Sequence, residues 1–431
     1  MKTLCVSPVV VEKDAVEQQT LMLFDLALGG HHGAYLKRIV EYGHTQPSIS
    51  RIYVVVTPAF LTVHADVVAF FSQYEKNTFE LIAITSAESK QLENRRGAWG
   101  RLNRNLVEWS LFCRYAKRLA VTQALLMYLD TCEVPLTLGL SAPCPFSGIY
   151  FRPSFYYGDF EARSPSKSAA LQRWRNRFTL KRLLSHPQLT HLFCLDTFAA
   201  KRLSQTDYGD KAIYLPDPTD YAAVEEGSVK TLRERLNISP NRKVFLLFGA
   251  LDARKGIYQL LEAIHQISEE LCQQMCLILA GKTDETEQAK IQSAVQHLLG
   301  QKPVQIVEQY EFIPDSLSAA YFQLADVVLA PYQQHVGMSG ILLTAAAAGK
   351  PVLSSHYGLM GQLTHTYELG LTVDSTSSKC IAQGLEQCIS KSEKELFNAQ
   401  KQTSFSEQHH PRHFSQTIFQ HISQNHILQK I

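Results

Sequence analysis

Short apolar runs alternate with helix-like segments along most of the chain. In the first half, the apolar runs predict six strands, at residues 20–25, 51–56, 79–84, 124–130, 189–196 and 211–215. Segments with helical periodicity follow or separate these runs. Because strands that alternate with helices form mostly parallel sheets, we expect an α/β domain with helices on both faces.

The same alternation restarts after a turn-rich segment at 216–220 (PDPTD), where each proline disfavours helix before it. The pattern then predicts strands at 243–249, 276–281, 304–307, 326–330 and 351–354, and helices at 256–268, 317–324 and 341–348. The predicted fold class is α/β, with two doubly wound Rossmann-like domains that face each other across a cleft. A ligand site is expected at the carboxyl ends of the strands.

The breaks in the pattern predict the domain boundaries. We expect an amino-terminal Rossmann-like domain in 1–216 and a carboxyl-terminal Rossmann-like domain in 217–408. A terminal helix that packs on the domains is expected in 409–431. Four apolar residues recur there with helical spacing: Phe414, Ile418, Phe419 and Ile422.

The composition is that of a folded protein, since 45% of the 431 residues are hydrophobic and 19% are charged. No apolar run reaches the ~18 residues that a membrane-spanning helix requires, and the first residues lack a secretory signal pattern. Cys272 and Cys276 lie a helical turn apart without a second Cys or His pair nearby, so a four-ligand zinc site is not indicated. We expect reduced, mostly buried cysteines and a cytoplasmic location, with peripheral membrane association as a further possibility.

The charge is uneven along the chain. Residues 1–216 carry 25 basic and 18 acidic side chains, whereas 217–431 carry 17 and 22. Two segments concentrate the basic residues: 95–118 with seven, and 173–182 with five beside Trp174 and Phe178. Such segments fit an anionic membrane surface, nucleic acid, or a solvated face over a buried apolar stripe. In 95–118 the stripe is predicted to contain Leu102, Leu106, Trp109, Cys113 and Ala116. If these segments bind a partner, we expect an anionic membrane surface and not nucleic acid.

Two cations and a glycine follow the predicted strand at 243–249: Arg254, Lys255 and Gly256. The N-terminus of a helix presents oriented N–H groups to an anion. Arginine can bind a phosphate through two hydrogen bonds, and lysine adds a point charge. Taken alone, this pair also fits a solvated surface position.

A second loop strengthens the case for a phosphate site. The strand at 326–330 ends at Pro331, and a loop of small residues from His335 to Gly340 leads into the helix at 341–348. Glycines at 337 and 340 allow backbone N–H groups to approach a phosphate closely. Two such loops at carboxyl strand ends of one domain predict a site for a nucleoside diphosphate.

Residues ~241–390 resemble the carboxyl domain of the group 1 glycosyltransferases, family 4, which have the two-domain GT-B fold. Three stretches carry the resemblance in the family's order and spacing: FGALDARKGIYQLLEAI, EFIPDSLSAAYFQLADVVLAPY and GMSGILLTAAAAGKPVLSSHYGLMGQL. The amino half resembles the family mainly through Gly29-Gly30-His31-His32-Gly33 before a helix.

The resemblance implies a hexosyltransferase that takes a nucleotide-diphosphate sugar as its donor, retains the sugar's configuration and needs no metal or other cofactor. A saccharide or a lipid-linked glycan is the implied acceptor. The resemblance places the acceptor on the side of the domain in 1–216 and the nucleotide sugar in the domain in 217–408. Arg254 and Lys255 would stabilise the diphosphate as it leaves. The other donor contacts implied in this domain are Phe312, Ile313, Pro314, His335, Gly337, Ser339, Gly340 and Thr344.

The paired-glutamate motif of the family is missing. Members usually have two glutamates eight residues apart, one for the sugar hydroxyls and one for the ribose, and the matching residues here are Val336 and Thr344. Valine accepts no hydrogen bond, and threonine gives only a neutral one, which is weaker than a charge-assisted bond. Either His335, Ser339 and Thr344 replace these contacts, or the activity is altered or lost.

Candidates in the amino-terminal domain are less specific. His31 and His32 are predicted to contact donor phosphate or acceptor, or else are polar surface residues. Asp130 ends the predicted strand at 124–130 and should face the cleft, unless it caps a helix. Arg152 lies on a long loop and can reach acceptor or phosphate. The catalytic candidates are Arg254, Lys255, His31 and Asp130, and the donor-binding set also includes Gly29, Gly30, His32 and Arg152.

Two alternatives to a transferase stay open. The missing glutamates motivate a degenerate homologue that binds a nucleotide sugar or scaffolds other transferases. A further departure is Ala250, where many members have arginine, although Arg254 can compensate four residues later. The second alternative is a nucleotide-sugar epimerase on the same fold, which would need no acceptor.

Overall fold

The computed structural model describes residues 18–29, 31–93, 97–151, 167–219, 221 and 224–428. The described residues form two compact units. One contains those within 18–149, 185–192 and 419–428, and the other contains those within 150–184 and 193–418. The domain boundaries predicted from the sequence stay predictions, because the compactness of a unit does not define where an independently folding domain begins.

The first sheet has seven strands in the order β3-β2-β1-β4-β5-β6-β7. The pairings of β1 with β2 and β4, of β2 with β3 and of β4 with β5 are parallel. The strands are β1 (Gln19–Asp25), β2 (Ile49–Val56), β3 (Phe79–Ala83), β4 (Gln123–Leu126), β5 (Phe146–Tyr150), β6 (Leu189–Cys194) and β7 (Ala212–Tyr214). The order reverses between β1 and β4, and ligands bind at such a switch point in doubly wound folds.

Helices alternate with these strands. Those described up to residue 203 are α1 (His32–Gly43), α2 (Phe60–Val63), α3 (Ala65–Phe71), α4 (Ser86–Glu93), α5 (Gly97–Arg118), α6 (Glu133–Thr137), α7 (Lys167–Leu184) and α8 (Thr197–Leu203). Short 3-10 helices lie at Leu129–Cys132 and Gly209–Lys211.

The second sheet has six parallel strands in the order β10-β9-β8-β11-β12-β13. The strands are β8 (Lys243–Phe248), β9 (Met275–Ala280), β10 (Gln305–Gln309), β11 (Val327–Ala330), β12 (Val352–Ser355) and β13 (Gly370–Val373). Its switch point lies between β8 and β11, so the loops that follow these two strands share one edge of the sheet.

The helices around this sheet belong to the second unit, except that the last residues of α19 belong to the first. They are α9 (Ser228–Arg235), α10 (Ile257–Gln266), α11 (Glu269–Cys272), α12 (Glu285–Leu299), α13 (Asp315–Leu324), α14 (Gly340–Ala347), α15 (Gly358–Thr366), α16 (Ser378–Ser390), α17 (Glu393–Leu396), α18 (Ala399–Gln408) and α19 (Pro411–Leu428). Helices α7 and α8, given above, are also part of the second unit. A 3-10 helix at Ala253–Lys255 precedes α10.

Apolar cores lie on both faces of the second sheet. Alternate residues of β8 point to opposite faces, so that Phe245 and Leu247 belong to one buried cluster and Val244 and Leu246 to another. Burial on both faces explains why this strand is a continuous apolar run rather than an alternating one. The predicted fold class of two doubly wound α/β sheets is confirmed.

Several element predictions need correction. Strands β5 and β13 were not predicted, and β4 ends at Leu126 rather than at residue 130. Asp130 therefore does not end a strand but lies in the 3-10 helix Leu129–Cys132. The terminal helix is confirmed as α19, and its four predicted apolar residues are all buried.

The buried face of α5 also differs from the predicted stripe. Leu106 is exposed, although Trp109 and Ala116 are buried as predicted. The buried residues that the stripe omitted are Glu108, Leu111, Phe112 and Tyr115. The buried face of α5 is difficult to predict from the sequence, because the charged residue Glu108 occupies a core position and breaks the apolar periodicity.

Candidate functional site

Lys255 lies buried at the carboxyl end of β8. Only 5% of the residue is exposed, and its Nζ donates to the Phe248 carbonyl at 2.8 Å and to the Tyr332 hydroxyl. Burial and the positive charge of Arg254 lower the pKa of Lys255 to about 7, against a smaller opposing effect of Asp252. The amine is therefore poised to take up a proton when a negative charge binds beside it.

Glycines shape the backbone around this lysine. Gly256 has φ +76°, and a Cβ there would lie 2.2 Å from the Pro331 carbonyl oxygen. The Gln333 N–H donates to the Arg254 carbonyl at 2.8 Å, which ties the two loops together. Gly249 has φ +99°, and a Cβ there would lie 3.2 Å from Lys255 Nζ. The turn after β8 thus requires glycine on both sides of the cation pair.

Tyr332 connects the lysine to the loop after β11. Its hydroxyl accepts from Lys255 and from Ser339 Oγ at 3.1 Å, and its carbonyl accepts from Ser375 Oγ at 2.8 Å. Burial raises the pKa of Tyr332 to about 12, so the phenol stays protonated. Tyr332 is not among the residues predicted from the sequence, although its position directly after a strand and a proline is a usable signal.

Arg254 is the accessible partner of the pair. Its side chain is half exposed, and its guanidinium lies 3.8 Å from the Asp252 carboxylate and 5.7 Å from the centre of the Tyr332 ring. A surface ion pair of this length contributes little stability. The guanidinium can therefore turn to an incoming anion at small cost.

The loop before α14 ends in a capped helix. Ser339 is the N-cap, and its hydroxyl accepts from the Ile341 N–H at 3.3 Å. His335 bonds the Met338 carbonyl through Nε2 at 3.1 Å, which helps to shape the loop around Gly337. The Val336 carbonyl accepts from the Leu359 N–H at 2.9 Å. Ser339 therefore hydrogen-bonds both the Tyr332 hydroxyl and the first turn of α14. The bonds of His335 and of the Val336 carbonyl fix the rest of the loop.

Val336 and Thr344 are the residues that the sequence resemblance aligns with two glutamates. Val336 packs against the apolar cluster of Cys194, Ala199 and Ala200. The Thr344 hydroxyl donates to the Gly340 carbonyl at 2.9 Å, one turn back along α14. Of the residues predicted to replace the glutamates, Ser339 is close to the cation pair through Tyr332, whereas Thr344 is bonded to its own helix.

Three of the predicted donor contacts, Phe312, Ile313 and Pro314, lie directly before α13. Phe312 and Pro314 are exposed, and Ile313 is partly buried against the core of this unit. The Pro314 carbonyl accepts from the N–H groups of Leu317 and Ser318, which begins the helix. The structure thus leaves Phe312 available to a planar ligand.

In the first unit, a buried carboxylate–histidine pair lies between β1 and α1. His32 Nδ1 is 2.8 Å from Asp25 Oδ2, and the other carboxylate oxygen accepts from the Ala27 N–H at 3.0 Å. Burial lowers the pKa of His32, but the hydrogen bond and charge of Asp25 outweigh it, so the pKa lies above its ordinary value. Asp25 was not a candidate, although it ends a strand as sites in such folds often do.

Other candidates of this unit are less organised. The His31 ring stacks on the Tyr35 ring with their centres 6.1 Å apart. His31 is the N-cap residue of α1, but its side chain makes no capping hydrogen bond to the helix. A Cβ on Gly29 would meet no atom within 4 Å, so the described structure gives no steric reason for glycine there. Asp130 is partly exposed on its 3-10 helix. Gly30 and Arg152 lie outside the described residues.

Replacing Asp25 tests the electrostatics of this pair without any assay of function. In Asp25→Asn the His32 pKa should fall, because the ring loses an adjacent negative charge while it stays buried. An NMR titration of the imidazole signals measures it. Glu88→Gln is the matched control, since Glu88 is also buried but pairs with Arg114 and Tyr115. An unchanged His32 pKa in Asp25→Asn would contradict the assignment.

The described residues contain neither a metal-binding cluster nor a membrane-spanning helix. No group of three or more His, Cys, Asp or Glu side chains among them is arranged to hold a metal ion. None of the described helices is long and apolar enough to cross a membrane. Six of the eight cysteines in the described part of the chain are buried, as the sequence predicts.

The segment that contains this site is similar to a known protein family. Residues 228–404 match the family model of the glycosyl transferases group 1. The match lies within the second unit, and Arg254, Lys255, Tyr332 and Ser339 are all inside the matched segment. The chain has no significant match among curated protein sequences.

Solved structures extend the likeness to nearly the whole chain. HepE from Anabaena, in complex with UDP and glucose, is 16% identical with a TM-score of 0.62, over 94% of this chain and 100% of that one. Sucrose-phosphate synthase from Thermosynechococcus elongatus is 15% identical with a TM-score of 0.64, over 95% and 100%. Trehalose 6-phosphate synthase from Burkholderia multivorans is 11% identical with a TM-score of 0.65, over 96% and 99%. These likenesses show the fold, which is the GT-B class.

Proposed function

We propose that this chain transfers a sugar from a uridine-diphosphate sugar to a hydroxyl of a saccharide or lipid-linked glycan. The observation that carries the proposal is the cation pair at the carboxyl end of β8, within the segment that matches the glycosyl transferases group 1. Uridine is supported by the fold neighbour HepE, which was solved with UDP. A hexosyl group and a retaining reaction belong to the same proposal and rest on the sequence resemblance. A cytoplasmic location is proposed as well and rests on the scattered, mostly buried cysteines.

In this proposal Arg254 and Lys255 have different roles in binding the diphosphate. Arg254 is half exposed and meets the phosphate first, through its planar guanidinium. Lys255 is held by the Phe248 carbonyl and the Tyr332 hydroxyl, so its Nζ needs little reorganisation to face the leaving group. Charge that develops on the diphosphate is then stabilised by fixed positive groups, with no metal invoked.

The first turn of α14 adds backbone donors to this site. The amides near Ser339 and Gly340 belong to a helix N-terminus, which favours negative charge. The remaining contacts from the sequence stay predictions: Gly29, Gly30, His31, His32, Asp130, Arg152, Phe312, Ile313, Pro314, His335, Gly337 and Thr344. His32 is the best supported of these, because Asp25 fixes its ring.

A nucleotide screen tests the proposed donor. Uridine diphosphate and its sugars should raise the melting temperature of the protein by mass action, whereas adenosine and guanosine diphosphates should do so less. Sugars that bind are then incubated with saccharide and lipid-linked acceptors, and NMR of the product reports whether the anomeric configuration is retained. A protein that no nucleotide stabilises would contradict the proposed donor.

A non-catalytic nucleotide-sugar binder is the second candidate. It is favoured by Val336, which packs in an apolar cluster, and by Thr344, whose hydroxyl bonds its own helix. Such a protein would be stabilised by a nucleotide sugar but would neither transfer nor hydrolyse it. Release of UDP over many turnovers would exclude it, and release without an acceptor product would point to hydrolysis.

A further inference from the structure

Helix α7 presents large apolar side chains to solvent. Leu171, Trp174 and Phe178 are 65%, 64% and 48% exposed, and they recur at helical spacing on one side. The Trp174 and Phe178 rings stack with their centres 5.8 Å apart and their planes at 15°. Exposed apolar groups of this size on one helix mark an interaction surface.

The same helix is strongly basic. Residues 167–184 contain six lysine or arginine residues and no acidic one. Four of the six have described, exposed side chains: Arg175, Arg177, Lys181 and Arg182. A helix that combines exposed aromatic residues with positive charge suits the interface of an anionic bilayer, where rings sit at the headgroup level.

A cavity of about 370 Å³ opens beside this helix, between α7 and the end of α8. Its walls are apolar at Leu180, Leu184 and Leu203. Three basic residues, Arg177, Lys181 and Arg202, line it as well and outnumber the one acidic residue, Asp207. Cations around an apolar floor match an anionic headgroup that is attached to hydrocarbon.

The basic helix of the first unit, α5, shows these features less completely. On α5, Arg104 pairs with Glu108 and Arg114 with Glu88, so part of its positive charge is balanced within the protein. Most of its large apolar residues are buried, with Trp99 and Leu106 as exposed exceptions. Of the two basic segments found in the sequence, the structure therefore favours the second as a membrane contact.

We propose that α7 and the adjoining cavity dock on an anionic membrane surface. Leu171, Trp174 and Phe178 enter the interface, and a phospholipid phosphate lies against Arg177 and Lys181. Nucleic acid is a poorer match, because it gains nothing from Leu171 or from the apolar walls of the cavity. The docking surface does not include Arg254 or Lys255, so failure of the docking test would leave the proposed function unaffected.

Vesicle flotation of the whole protein tests the docking. Wild type should bind vesicles of phosphatidylcholine with phosphatidylglycerol, bind pure phosphatidylcholine weakly, and dissociate as salt is raised. The double variant Arg177→Ala, Lys181→Ala should bind about tenfold more weakly, since each basic residue near the surface contributes. Trp174→Ala with Phe178→Ala should weaken binding even at low salt.

Matched controls separate docking from general charge and from loss of fold. Lys230→Ala with Lys379→Ala removes two exposed lysines of the same unit and should leave vesicle binding unchanged. Vesicles should also shift tryptophan emission to the blue in wild type but not in Trp174→Phe. The proposal is overturned if wild type ignores anionic vesicles, if both α7 variants bind like wild type, or if an RNA duplex binds more tightly than vesicles.

Discussion

Replacing Lys255 by methionine is expected to reduce sugar transfer by about 100-fold or more, as is typical for loss of one group that stabilises a transition-state charge. Methionine conserves the volume of the side chain and removes its ammonium group. The site would keep Arg254 and the helix N-terminus, so residual activity should remain. Steady-state rates with a saturating UDP-sugar measure the loss.

The same substitution is expected to change stability in a pH-dependent way. In the folded protein the pKa of Lys255 is about 7, whereas the ordinary lysine value is 10.5. Between these values the unfolded chain binds more protons, so wild type loses stability as the pH falls through this window. The melting temperature of Lys255→Met relative to wild type should therefore rise from pH 10 to pH 7.

Lys243 provides the matched control. Its Nζ donates to the carbonyls of Cys388, Ile389 and Lys391, so it is also a partly buried lysine bonded to backbone. Lys243→Met should lower stability and leave the affinity for UDP unchanged. If Lys255→Met transferred sugar at the wild-type rate, the role of Lys255 at the diphosphate would be wrong.

The affinity for UDP is expected to fall about tenfold for each pH unit above 7. The diphosphate favours the protonated lysine, and above its pKa of about 7 the free protein must take up a proton to bind. The fall should level off at the pKa that Lys255 has in the complex. Calorimetric titrations from pH 6 to 9, in buffers of different ionisation enthalpy, measure both the affinity and the proton uptake.

Lys255→Met is the control for this pH dependence. Without the titrating amine, the affinity should be low and nearly constant across the same range. A wild-type profile that stays flat above pH 7, or a variant that keeps the slope, would assign the proton to another group.

The sequence predicted the parts of the fold that rest on buried apolar runs. Strand β8 was evident because both of its faces are covered. Strands β5 and β13 were missed because each has four or five residues and contains a glycine, so it lacks a long apolar run. Asp130 was misplaced for the opposite reason, since apolar residues continue past the end of β4 into a 3-10 helix.

The candidate site was predictable where its chemistry is local in sequence. Arg254 and Lys255 are adjacent and follow a strand, so the pattern indicated an anion site. The side-chain partner of Lys255 is distant in sequence, since Tyr332 lies 77 residues away and only the topology of the sheet brings it close. The Asp25–His32 pair is separated by the turn between β1 and α1, which periodicity does not describe.

A titration of UDP into wild type and into Arg254→Ala, Lys255→Ala below pH 7 tests the proposed role of the cation pair most directly. Wild type should bind, and the double variant should show no measurable binding while its circular dichroism spectrum stays that of the folded protein. Equal affinity in the two proteins, or no binding by wild type, would contradict a diphosphate site at Arg254 and Lys255.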